Sequence, residues 1–126
     1  MIETPWNGFI RIWDFHSKEL LNKIKVSNNN YDNLSGICLW NINYLSVGCG
    51  NLIKIVDLEN EEVVNTLVGH NFNVITIKSI KHPKYGECIV SQDLYDGQIK
   101  LWVNKINKIK YLIDELNKKL QNNEII

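Results

Sequence analysis

Three stretches of the chain share one hydrophobic pattern: GFIRIWDF at 8–15, NLIKIVDL at 51–58 and GQIKLWVN at 97–104. In each, a turn-forming residue leads into apolar, basic and apolar residues in alternation. Ile10, Ile12 and Trp13 thereby correspond to Ile53, Ile55 and Val56, and to Ile99, Leu101 and Trp102. Such alternation of β-branched and aromatic residues after Gly or Asn predicts strands. The last position recurs after 43 residues, from Trp13 to Val56, and again after 46, from Val56 to Trp102. The intervening segments are strand-like too. VVNTL at 63–67 follows the polar turn ENEE, VITIKSI spans 74–80, and ECIVSQD at 87–93 precedes the turn LYDG. One unit earlier the same order gives LLNKIKV at 20–26, SGICLW at 35–40 and YLSVGCG at 44–50.

A self-similar period near 40–45 residues predicts the four-stranded blades of a β-propeller. With strands lettered a to d outward from the axis, the chain runs c–d, then a–b–c–d, then a–b–c. That is about nine antiparallel strands, too few for a closed ring of roughly four to eight blades. After residue 103 the period changes. Lys105 to Asn122 contains no Gly or Pro, and Ile106, Ile109, Ile113, Leu116 and Leu120 are spaced 3, 4, 3 and 4. These are a and d positions of a heptad, so the segment is expected to form an amphipathic helix of about five turns. The predicted fold is therefore all-β with one C-terminal helix. A partial propeller occupies 1–103, in units of about 6–26, 34–67 and 69–103, and the helix and tail occupy 104–126.

The elements GFIRIWD, LVGHNFNV and VSQDLYDGQIKLW resemble WD repeats. Gly69-His70 stands where such a repeat opens a blade, with Val74 four positions after the His, and Trp13-Asp14 closes a c strand. The resemblance covers about residues 6–103. It implies a buried hydrogen-bond network of a His, a strand-b Ser or Thr, a turn Asp and a Trp. The third unit supplies His70, Ser91, Asp93 or Asp96, and Trp102, with Asp96 preferred for its distance to Trp102. The second unit departs from the pattern: Val56 replaces Trp, and NNNYDN at 28–33 stands where Gly-His would. Apolar packing is expected there instead. In such propellers the start of the chain typically donates the missing outer d strand. The chain thus reads as the C-terminal end of a larger ring.

Composition narrows the function. Fourteen basic residues balance fourteen acidic ones, which argues against nucleic acid as the ligand. Apolar runs are far shorter than the roughly 20 residues needed to span a bilayer. The opening MIETPWNGFIRIW is unlike a signal peptide. Cys38, Cys49 and Cys88 are odd in number and lack metal-ligand spacing, so reduced thiols and an intracellular, cytoplasmic location are expected. His16, His70 and His82 form no metal pair, and neither a phosphate loop nor a nucleophile elbow occurs. No catalysis and no cofactor are expected.

Binding remains. Propeller loops cluster on two faces of a rigid scaffold, and Tyr31, Phe72 and Tyr95 fall in polar loops as candidate partner contacts. On the helix, Ile109, Ile113 and Leu116 are further candidates, since an apolar stripe must be buried on the propeller flank or against a partner. The expected function is a non-catalytic scaffold or adaptor for other proteins, missing blades included. The alternatives are a targeting or regulatory portion of a larger enzyme or transport machine, and a truncated gene-model fragment.

Overall fold

The computed structural model describes residues 2–3, 8–28, 34–40 and 42–122. The strands are β1 (Ile2–Glu3), β2 (Phe9–Trp13), β3 (Leu20–Lys25), β4 (Leu34–Trp40), β5 (Tyr44–Cys49), β6 (Leu52–Asp57), β7 (Glu62–Leu67), β8 (Val74–His82), β9 (Gly86–Asp93) and β10 (Ile99–Val103). One helix, α1 (Lys105–Gln121), follows. The strands form three antiparallel sheets ordered β1-β2-β3, β4-β5-β6-β7 and β10-β9-β8. The strand count differs from the sequence reading by β1. Ile2 pairs with Ile12 and Glu3 with Arg11, so the first sheet contains a b strand as well as c and d. Two residues are too few to show a period, which is why the pattern missed it.

The c-to-d hairpins of the first two sheets are built alike. Asp14 Oδ1 accepts the N–H groups of His16 and Ser17 at 2.8 and 2.7 Å. Asp57 Oδ1 accepts those of Glu59 and Asn60 at 2.9 and 3.2 Å. Each turn ends on a non-glycine residue in the left-handed region, Lys18 at φ 60° and Glu61 at φ 58°. The strand register shifts at the same place in both, between Ile12 and Trp13 and between Ile55 and Val56. A short polar side chain that bonds its own backbone two or three residues on is a turn initiator. The third unit has Val103 at this position. It lacks that carboxylate, and the chain passes to Asn104, whose Oδ1 caps α1 by accepting from Ile106 N at 2.9 Å. A helix replaces the d strand.

The sheets stack face to face around two cores. Ile10, Ile24, Leu45, Val47 and Val56 close the space between the first and second sheets. Ile53, Ile55, Val74, Ile77 and Ile89 do the same between the second and third. Where the inner strands β4 and β8 meet, Ser35 Oγ donates to Val74 O. Gly48 permits this approach, because a Cβ there would lie 2.4 Å from Ser35 O.

Candidate functional site

The most ordered polar cluster lies at one edge of the third sheet. His70 Nδ1 is 3.2 Å from Asp93 Oδ2, and its Nε2 is 2.7 Å from Ser91 Oγ. Trp102 Nε1 donates to the same Ser91 Oγ at 2.7 Å. Asp93 Oδ1 accepts the backbone N–H groups of Asp96 and Gly97 at 3.2 and 3.1 Å. His70, Ser91 and Asp93 are all buried. One proton arrangement satisfies the whole chain of bonds. An ionised Asp93 only accepts, so the His70 proton sits on Nδ1. Nε2 then accepts from the Ser91 hydroxyl, and Ser91 oxygen accepts from Trp102.

Asp93 stands where Asp96 was expected. The register explains the correction. Ser91 and Asp93 are two apart on β9, so alternation turns both to the same face, and Asp93 pairs with Val74 just past His70. Asp96 lies in the following turn, its own Oδ1 accepting from Gln98 N at 3.0 Å. Burial pushes the Asp93 carboxyl up. Hydrogen bonds from His70 and from the backbone N–H groups of Asp96 and Gly97 outweigh burial and leave its pKa below the ordinary value. Gly69 has a steric role here: a Cβ on it would come within 3.0 Å of Trp102 Cη2. The Trp ring lies over the backbone just before His70.

Ser91, His70 and Asp93 share the connectivity of a catalytic triad, but not its accessibility. A nucleophile must reach a substrate carbonyl. Here Ser91 is 1% exposed, and its oxygen already accepts from Trp102. The cluster fixes the turn 93–97, the loop before β8 and the end of β10 to one another. Among the described residues no group of three His, Cys, Asp or Glu is placed to hold a metal, and no helix is long and apolar enough to cross a membrane.

The second sheet shows what replaces the network. Lys54 corresponds to Lys100; Lys100 pairs with Ser91, and Lys54 pairs with Val47. Ser, Asp and Trp of the third sheet thus correspond to Val47, Cys49 and Val56, all buried in the core.

The candidate contact residues divide. Tyr31 lies outside the described residues. Phe72 and Tyr95 come together from two loops as an edge-to-face pair, 5.4 Å between centroids. Leu94 is exposed beside them, its N–H donating to Asn73 O at 2.9 Å. On α1, Ile109, Ile113 and Leu116 are each about half exposed, and no residue of the helix is buried. The stripe therefore does not dock on the chain's own sheets. The helix instead rests on the 82–86 turn through another face. Tyr111 meets Tyr85 edge-on at 5.6 Å, and Tyr85 stacks on His82 at 4.8 Å. Sequence reasoning missed this contact, because its residues sit off the apolar stripe.

An open cleft of about 510 Å³ lies between β5–β7 and the start of α1, lined by Trp40, Tyr44, Val64, Glu87 and Asn107 among others. Among the described residues Glu87 is the one carboxylate in its lining.

No protein-family model matches the sequence, and no curated protein matches it. Solved structures do. The chain is similar to the crystal structure of the RRP9 WD40 repeats, with 19% identity and a TM-score of 0.61, covering 80% of this chain and 29% of that one. It is likewise similar to the structure of U3-55K, with 18% identity and a TM-score of 0.64, covering 84% of this chain and 31% of that one. The chain thus spans less than a third of those structures. Three stacked antiparallel sheets, a Gly-His entry locked to a Ser, an Asp and a Trp, and these two likenesses agree: the fold is a partial WD-repeat β-propeller that ends in one helix.

Proposed function

We propose that this chain is a non-catalytic scaffold that holds other proteins, presenting α1 and the Phe72–Tyr95 loop pair to them. The exposure of the α1 stripe carries this reading. Ile106, Ile109, Ile113, Leu116 and Leu120 lie between 46% and 63% exposed on a helix fixed by a different face. Most of a helix's stability in a protein comes from packing its amphipathic face, and burial of an apolar stripe supplies it. Its a/d spacing suits the amphipathic helix of a partner in a coiled-coil pairing. Phe72 and Tyr95 add an aromatic anchor of the kind enriched at interface centres.

The test compares tagged wild-type chain with an Ile109→Lys/Ile113→Lys/Leu116→Lys variant in affinity capture from native extract. The sites are solvent-facing, so the thermal midpoint should be unchanged. Specific loss of the same captured proteins from the variant supports the reading. Identical capture by both would refute it.

A further inference from the structure

α1 keeps its apolar seam and its seat on opposite sides. With Ile106 at position a of a heptad, Ile109 and Leu116 fall at d, and Ile113 and Leu120 at a. Tyr111, which meets Tyr85 on the 82–86 turn, falls at f, directly behind the seam. The seam therefore faces away from that turn, and its five residues are 46–63% exposed.

The charges beside the seam are of one sign. Positions e and g flank a helical seam and set which helix it accepts. Here they are Lys105, Lys110, Leu112, Asn117 and Lys119, three cations and no acid. The two acids of α1, Asp114 and Glu115, fall at b and c, and Glu115 Oε1 takes the ammonium of Lys118, 3.3 Å away at f. Lys105 does not serve the helix itself. The first turn holds no acid, and Lys105 begins it, where the positive end of the helix dipole favours carboxylates.

Flanks of one sign decide between occupants. In a parallel pair of α1 helices, g of one chain meets e of the other, which sets Lys105 against Lys110. In an antiparallel pair g meets g, which sets Lys105 against Lys119. Like charges opposed in this way disfavour a second copy. A lipid surface is also the weaker match. Helices that lie on membranes typically spread Trp, Phe or Leu over a wide face, whereas this stripe is the narrow a/d kind and carries no aromatic residue.

We propose that the α1 seam receives an amphipathic helix of a partner protein whose own flanking positions carry Glu or Asp, so that Lys105, Lys110 and Lys119 meet carboxylates along the seam. This rests on the reading of α1 as the surface that holds other proteins, and names the chemistry of what it holds.

Two fluorescent peptides of about three heptads test it, each with Ile at a and Leu at d. One carries Glu at every e and g position, the other Lys. Anisotropy titrations use the full chain. At about 0.1 M salt the Glu peptide should bind at least about tenfold more tightly than the Lys peptide, and the difference should shrink at about 1 M. Lys105→Glu/Lys110→Glu/Lys119→Glu should reverse the preference. Ile113→Lys should lose the Glu peptide although it adds a positive charge, which separates seating in the seam from loose charge attraction. The substituted sites are exposed, and circular dichroism confirms that each variant keeps its strands and helix. If the triple variant loses helix, Lys110→Glu alone takes its place and should narrow the preference at least about twofold. Equal binding of the two peptides, a preference unmoved by charge reversal, or full binding of the Glu peptide by Ile113→Lys would each overturn the proposal. So would a wild-type dimer that Ile113→Lys breaks, or binding to phosphatidylcholine–phosphatidylserine vesicles by a chain that ignores the Glu peptide. The two readings separate cleanly. Captured proteins lost from the Ile109→Lys/Ile113→Lys/Leu116→Lys variant, with no preference between the peptides, would leave the scaffold reading standing and sink this one.

Discussion

Replacing Ser91 by Ala removes one hydroxyl and strands two partners. His70 Nε2, 2.7 Å from that oxygen, is left without a bond inside a residue only 3% exposed. An unsatisfied buried polar atom costs about 1–3 kcal/mol. Trp102 Nε1 loses its acceptor as well; it is half-buried and partly recovers water, so about 0.5–1.5 kcal/mol is expected there. The total is about 1.5–4.5 kcal/mol. The second sheet supplies a control. Ser46 is equally buried but makes one hydroxyl bond, to Cys38 O at 3.2 Å, so Ser46→Ala should cost only about 0.5–1.5 kcal/mol. The mechanism also predicts coupling. In the Ser91→Ala/Trp102→Phe double variant the stranded indole N–H no longer exists. The double variant should therefore be more stable than the sum of the singles by about 0.5–1.5 kcal/mol. Guanidinium unfolding followed by far-ultraviolet circular dichroism reads all four proteins, with unchanged m values as the condition for comparison. If Ser91→Ala costs no more than Ser46→Ala, or the cycle is additive within about 0.3 kcal/mol, Ser91 is not the bridge described here.

Three further outcomes are expected. Val56→Trp restores the residue of the neighbouring repeats yet should destabilise by about 1–3 kcal/mol or more, since Val56 is fully buried and Val47 offers no oxygen to an indole; a rise in the thermal midpoint would contradict this. Lys18→Gly should stabilise by about 0.5–1 kcal/mol, because the turn holds Lys18 at φ 60° and glycine occupies that region without a Cβ clash; an unchanged or lowered midpoint would count against it. Asp14, Asp57 and Asp93 all have pKa values below the ordinary 3.8, so in acid the unfolded chain binds more protons than the folded one. Stability should be full above about pH 4 and fall as pH drops through the folded values, and Asp93→Asn should flatten that fall; a guanidinium midpoint constant from about pH 6 to pH 2 would refute it.

The c strands were legible because three copies of one pattern fix phase and period together, and the change to a 3-4 spacing marked α1 to within a residue of its observed end. The Gly-His element, Ser91 and Trp102 were legible as a set. Asp93 was not chosen, although the signal was present: two residues on one strand share a face, and only Asp93 is in step with Ser91. Distance along the chain to Trp102 was the wrong measure, since strand register decides which atoms meet. The seat of α1 could not be read from periodicity. The helix is held through the Tyr111–Tyr85 contact, off its apolar stripe, and an aromatic contact between a turn and a helix leaves no periodic trace.

The pattern of loss in the second sheet has a physical logic. Its Ser, Asp and Trp positions hold Val47, Cys49 and Val56, changed together rather than singly. A buried network that keeps some members strands the others, and a half-satisfied network is worse than an apolar core. Partial loss is therefore the costly intermediate, and complete replacement is the stable alternative. The position of the change fits as well. These positions lie on a face that another sheet covers, so the aliphatic side chains there are buried completely and stabilise the second sheet without directed bonds. Among the described residues the third sheet packs against another sheet on one face only, and Ile99 and Leu101 on the other are 70% and 45% exposed. There, directed bonds from Ser91, His70 and Asp93 hold the turn 93–97 and β10 in place where packing does not. Hydrogen bonding and apolar burial are thus two ways of filling the same covered positions, each stable only when its set is complete.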